Sequence, residues 1–168
     1  MSEHRVRNIV RQVVAGAEAL EKASIFHMDL WSANWLIDVE DNDRVKIIDF
    51  GVAAITDERV NEMPLDFPIV MPEFLTTKSA RPSSFAPWAM SLCIFSLIFK
   101  REAFGLNRDF SNIIDRREQI LALHIGIPDD ATHELRDYLT STLAYEHVRL
   151  NISQLASHAW LNIHHRTL

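Results

Sequence analysis

Apolar residues at Ile9, Val10, Val13, Val14, Ala17 and Leu20 keep the three-to-four spacing of one helix face, which predicts a helix over 5–23. Two short apolar stretches follow, Trp35-Leu36-Ile37 and Val45-Lys46-Ile47-Ile48, with Asp41-Asn42-Asp43 between them. Asn and Asp tolerate tight turns, so these segments read as a β-hairpin. From Pro87 to Phe99 the run PWAMSLCIFSLIF is apolar on almost every side, as expected of a helix buried all round. Helices are predicted at about 85–99, 109–123, 131–145 and 151–158, and Asp130 or Thr132 can cap the third, with Glu134 nearby. Loops are expected over 57–67, 76–84, 101–107 and 126–130. The pattern predicts a mainly α fold, a helical bundle with one small β-hairpin, forming a single domain over 1–168.

The hairpin changes the picture because chemistry clusters around it. His27-Met28-Asp29 precedes it, Asn34 opens it, and Asp49-Phe50-Gly51 closes it, in the stretch IFHMDLWSANWLIDVEDNDRVKIIDFG. Pairing the two strands would bring Asn34 and Asp49 side by side. A carboxylate and an amide oxygen are hard ligands of the kind Mg²⁺ takes beside substrate phosphates. Asp29 could accept a hydroxyl proton or orient the hydroxyl. The set suits phosphoryl transfer, which needs neutralised phosphate charge and a positioned nucleophile. Only 26 residues precede His27, so the expectation is the floor of such a site without its roof.

Bulk properties narrow the setting. The 168 residues are 48% hydrophobic and 24% charged, ordinary values for a globular chain with a real core. A net charge of −6 argues against nucleic acid or an anionic membrane as partner. Phe85–Phe99 carries two serines and is shorter than the roughly 20 residues of a membrane span. The single cysteine, Cys93, reads as a small buried hydrophobe, and the eight histidines show no tight ligand spacing with it. An intracellular location, cytoplasmic or nuclear, is expected.

The motifs resemble the catalytic and metal-binding loops of eukaryotic protein kinases, which run His-Arg-Asp, four residues, Asn and then Asp-Phe-Gly. The stretch LIDVEDNDRVKIIDFG particularly resembles the calmodulin-kinase-like branch, including Pim-type kinases, while LWSAN is also similar to small-molecule kinases of the aminoglycoside and fructosamine type. Met71-Pro72-Glu73 resembles the end of an activation segment, and RLNISQLASHAWL the closing segment of the family. The resemblance implies a kinase large, C-terminal lobe. Its catalytic and metal loops would lie at 25–51, its activation-segment-like stretch at 49–73, and its helical subdomain at 74–162. It makes Asp29 the catalytic-base equivalent and Asn34 and Asp49 the Mg²⁺-ligand equivalents. It gives structural places to His27, Phe50, Gly51, Glu73, Trp88, Arg149 and Trp160, with Arg149 pairing Glu73.

Several positions depart from the family. Met28 replaces the Arg of the catalytic loop, Trp31 replaces a Lys that contacts the transferring phosphate, and Ala86 replaces an Asp that holds the loop backbone. Leu65 and Asp66 fall on the family's Gly and Thr, and Thr56 is the only Ser or Thr between Asp49 and Glu73. No Gly-rich phosphate loop or nucleotide-binding Lys strand is visible. These departures lead to the expectation of a pseudokinase: a non-catalytic interaction or regulatory module, not an enzyme, with no cofactor. Its surface around Phe26, Trp31, Trp35 and Leu36 would meet a protein partner, such as a kinase, a kinase lobe, a regulatory complex or a second copy. The alternative is the catalytic half of a Ser/Thr kinase, using ATP and Mg²⁺ once a small lobe is supplied.

Overall fold

The computed structural model describes residues 1–61, 70–104 and 113–163, with the side chains of 113–116 excepted. Leu65, Asp66, Gly105, the expected helix start at 109 and His164-His165 lie outside the described residues. Among the described residues the fold is mostly helical, with one two-stranded antiparallel sheet.

Helix α1 (Glu3–Lys22) starts where Ser2 caps it, the hydroxyl accepting the Arg5 amide. It buries Val6, Ile9, Val10, Val13, Val14 and Ala17 along one face. Strands β1 (Trp35–Asp38) and β2 (Arg44–Ile47) pair with Trp35 opposite Ile47 and Asp38 opposite Arg44. Asn42 and Asp43 turn the chain with φ of 53° and 56°, a left-handed conformation that Asn and Asp tolerate well. Two polar residues of α1 then pin the hairpin. Arg5 grips the Asp43 carboxylate with two bonds of 2.8 Å. The Gln12 amide donates to the Asp43 carbonyl at 2.9 Å and accepts the Val45 amide at 3.0 Å. Helix and strand run so close that a Cβ on Gly16 would lie 2.8 Å from Ile47 Cδ1.

Helix α2 (Pro72–Thr76) is a short turn begun by proline, which the periodicity gave no sign of. Helix α3 (Phe85–Phe99) has the expected bounds and runs through the core, with Trp88, Met90, Ile94 and Phe95 fully buried. Helices α4 (Ile113–Ala122), α5 (His133–Thr142) and α6 (Ile152–Ala156) complete the bundle. Thr132 caps α5 by accepting the Leu135 amide, and Asn151 and Gln154 form a reciprocal capping box at α6. The last two helices are shorter than the sequence suggests, because their outer turns relax into bends around Tyr145 and His158.

Two charged clusters hold the bundle together. Arg149 donates to both carboxylate oxygens of Glu73 at 3.0 and 3.1 Å and to the carbonyls of Ala144 and Ser84. Its guanidinium also lies 4.8 Å from the centre of the Trp88 ring. At the other end, the Trp160 indole donates to Glu3 Oε1 at 2.9 Å, and Arg7 bonds the same oxygen.

Candidate functional site

The chain leaving α1 passes through Ser24 in a left-handed turn and pairs Phe26 with Ala54 by two 2.8 Å bonds. This brings the His27 turn against the Asp49 turn. His27 is buried and joins them. Its Nδ1 accepts the Asp29 amide at 3.3 Å, so the ring proton sits on Nε2, which donates to the Ile48 carbonyl at 2.9 Å. The ring also lies 4.9 Å from that of Phe50.

Asn34 ends a single 3-10 turn (Ser32–Asn34) that leads directly into β1. Its backbone carbonyl accepts the Ile48 amide at 3.1 Å, extending the ladder by one residue and setting Asp49 beside it. Its side-chain NH₂ donates to the Asp29 carbonyl at 2.7 Å and to the Asp29 carboxylate at 2.9 Å. Both amide protons are thereby used, and the side-chain oxygen is left as the acceptor. Asp49 is exposed, and its Oδ1 accepts the Gly51 amide at 3.2 Å. A Cβ on Gly51 would stand 3.2 Å from that oxygen and crowd it.

Met28 and Asp49 both have positive φ, 62° and 63°. For a buried Met this backbone is unusual, and such outliers gather at functional sites. Burial raises the Asp29 carboxyl pKa above its ordinary value, and the Asp49 charge adds to the rise. Hydrogen bonds from Asn34 and Trp31 pull the other way. The two carboxylates therefore share one electrostatic site. A carboxylate and an amide oxygen on adjacent turns fit Mg²⁺, which takes hard oxygens and keeps room for phosphate and water. Asp29 is partly open to solvent.

Not every expected surface residue lies on the surface. Trp35 is only 5% exposed and belongs to the core, because alternation along β1 sends Leu36 outward and Trp35 inward. Phe26 is half-buried. Trp31 and Leu36 are exposed, and Ile48, Phe50, Val52 and Ile55 join them as large exposed hydrophobics. Sequence reasoning missed a tether as well. Cys93 is more than a space-filler: its Sγ accepts the Ser32 amide at 3.1 Å and so ties the turn before Asn34 to α3. Burial pushes its thiol pKa up to about 11, which keeps it neutral. Ala86, by contrast, is buried and offers the loop no side-chain acceptor.

Comparison with known proteins gives this geometry its context. A probable serine/threonine-protein kinase of Dictyostelium discoideum is 29% identical over 167 residues, 96% of this chain and 24% of its own length. The zebrafish (Danio rerio) serine/threonine-protein kinase tousled-like 1-B is 28% identical over 184 residues, covering 99% of this chain and 24% of its own. The CBL-interacting protein kinase 28 of rice (Oryza sativa subsp. japonica) is 25% identical over 166 residues, 95% of this chain and 37% of its own. The chain thus spans well under half the length of these relatives. Their names overturn the expectation of a non-enzyme, which rested on single departures such as Met28 and Trp31. They overturn the expectation of no cofactor too, since a protein kinase domain implies ATP and Mg²⁺. The family model for the protein kinase domain matches residues 1–161, and this chain belongs to the protein kinase family.

Proposed function

We propose that the chain is the large-lobe half of a Ser/Thr protein kinase catalytic domain and takes part in transferring the γ-phosphoryl group of ATP to a protein hydroxyl. The observation that carries this reading is the joined set of Asp29, Asn34 and Asp49. Asn34 is locked to Asp29 through both amide protons, and His27 links the Asp29 and Asp49 turns.

In this reading, Asp49 and the Asn34 side-chain oxygen would hold Mg²⁺, which would neutralise charge on the phosphates. Asp29 orients the acceptor hydroxyl and accepts its proton. His27 and Phe50 keep the two turns in register. Trp31 provides an indole N–H where related kinases carry a positive charge, so the reading expects a slow enzyme rather than an inert one.

The same reading assigns a partner to the exposed face. Leu36 on β1 and Ile48, Phe50 and Val52 along the Asp49 turn are exposed, and a kinase small lobe with its phosphate loop would cover them. Whether that lobe comes from the same polypeptide or another, the site works as a pair of jaws. The location that fits is intracellular.

The test is Mg·ATP binding by the chain together with a kinase small lobe, followed by thermal unfolding. A ligand that binds only the folded state must raise its stability. A rise of several degrees that needs Mg²⁺ and vanishes in Asp49→Asn supports the reading, and no rise at millimolar nucleotide contradicts it.

A further inference from the structure

Glu146, in the turn after α5, joins three stretches of chain that are far apart in sequence. Its Oε2 accepts the Arg59 guanidinium at 2.8 Å, and its Oε1 accepts the Arg81 backbone amide at 2.8 Å. Its own amide donates to Glu73 Oε1, the oxygen that Arg149 also holds. Arg59 is fastened further, donating to the Ser79 carbonyl at 2.7 Å and the Ser79 hydroxyl at 3.2 Å. Val60 and Ala80 exchange backbone bonds of 2.9 and 3.1 Å. Asp57 accepts the amide and hydroxyl of Ser83 at 2.8 and 2.9 Å. The chain leaving the Asp49 turn is therefore strapped along 57–60 to residues 79–83, and Glu146 ties that strap to the first turn of α2.

An isolated surface ion pair contributes little. This carboxylate differs because two different segments occupy its two oxygens and its side chain is only 18% exposed, against 42% for Arg59. Its orientation is fixed from both sides, and the backbone amide beside it fixes Glu73.

We propose that Glu146 is a positioning residue for the acceptor side of the site, holding the chain that leaves Asp49 in register with the helix that carries Glu73. It does not touch Asp29, Asn34 or Asp49, and it acts through Arg59 and Glu73. The proposal rests on the phosphotransfer reading given above.

The test uses the complete kinase domain, with ATP and a pooled library of Ser/Thr peptides as acceptor. Glu146→Gln removes the charge and one acceptor oxygen, and Arg59→Ala removes the partner. Each is expected to raise the acceptor KM about three- to tenfold, with kcat and the KM for ATP within about twofold, and the double variant to be no worse than Arg59→Ala. Amide hydrogen exchange at Val60 and Ala80 should quicken at least about threefold, while Ile9 and Leu139 keep their protection. An unchanged acceptor KM, or a loss confined to kcat, overturns the proposal. Should the unaltered protein transfer no phosphate, the phosphotransfer reading falls. Exchange at Val60 and Ala80 then decides the fastening alone: unchanged rates remove it, and faster rates keep it.

Discussion

The side-chain amide of Asn34 donates to Asp29 twice, to its backbone carbonyl at 2.7 Å and to its carboxylate at 2.9 Å. One residue thereby fixes the candidate base and aims its own oxygen away from it. The relationship couples folding to chemistry, because the bond that shapes the loop also orients a metal-ligand oxygen.

Asn34→Ala should therefore show two losses at once. The Asp29 carbonyl and carboxylate lose their donor, which costs about 1–3 kcal/mol in denaturant unfolding. Phosphoryl transfer should fall by on the order of 10²-fold, the size of effect seen when one oriented electrostatic contact is removed. A variant as stable and as active as the parent would mean that the amide merely caps a turn.

Trp31 stands at the mouth of the site, 40% exposed and two residues beyond Asp29. Trp31→Lys places a positive charge where negative charge develops on the transferring group. Transfer should rise about tenfold or more, in line with the worth of such donors. Steady-state kinetics would check this, and an unchanged or lower rate would count against the assigned orientation of the loop.

Glu73 and Arg149 have side chains only 7% and 1% exposed. Removing either leaves the other charge buried without its partner, so Glu73→Ala and Arg149→Ala should each cost about 3–5 kcal/mol. The double variant should lose less than the sum, because no lone charge remains. Urea unfolding of the three variants measures this directly, and strict additivity would contradict the pairing.

The hydrophobic pattern made much of the frame legible before any coordinates. Helix α3 could be read with its bounds because its run is apolar all round, and α1 to within two residues at its start and one at its end because one face repeats. The hairpin followed from Asp41-Asn42-Asp43, whose residue types suit the left-handed turn at Asn42 and Asp43. Helix α2 was not legible, since a five-residue helix shows no period. Trp35 was misplaced because large aromatics suit an interface as well as a core, and only the direction of the pleat decides. Gln12, Cys93 and Glu146 stayed hidden because their partners lie 31, 61 and 73 residues away. That Asn34 and Asp49 lie on neighbouring turns was legible from the hairpin. What the departures at Met28, Trp31 and Ala86 mean for activity was not, because substitutions show what is missing and not what replaces it.

Glu21 sits in the last turn of α1, where a carboxylate meets the negative end of the helix dipole. Burial raises its pKa to about 7, with the charges of Asp57 and Glu18 adding to the rise. Unfolded, its pKa lies near the ordinary value of about 4.3. Between these two values the folded state binds the extra proton, so stability falls as pH rises through that window and levels off above about 7. Glu21→Gln should remove this fall, gaining on the order of 1–3 kcal/mol over the parent at pH 8 and little at pH 4. Thermal unfolding across pH 4–8 tests it, and parallel curves for the two proteins would contradict the assignment.

The most direct test of the account is single-turnover transfer of the γ-phosphate from Mg·ATP by the chain paired with a kinase small lobe, measured for the parent, Asp29→Asn and Asp49→Asn. The account predicts measurable phosphoserine or phosphothreonine from the parent. It predicts a loss of about 10²–10⁴-fold in Asp29→Asn, whose fold should be unaffected, and a comparable loss in Asp49→Asn. A parent that transfers nothing, or variants that transfer as well as the parent, would contradict it.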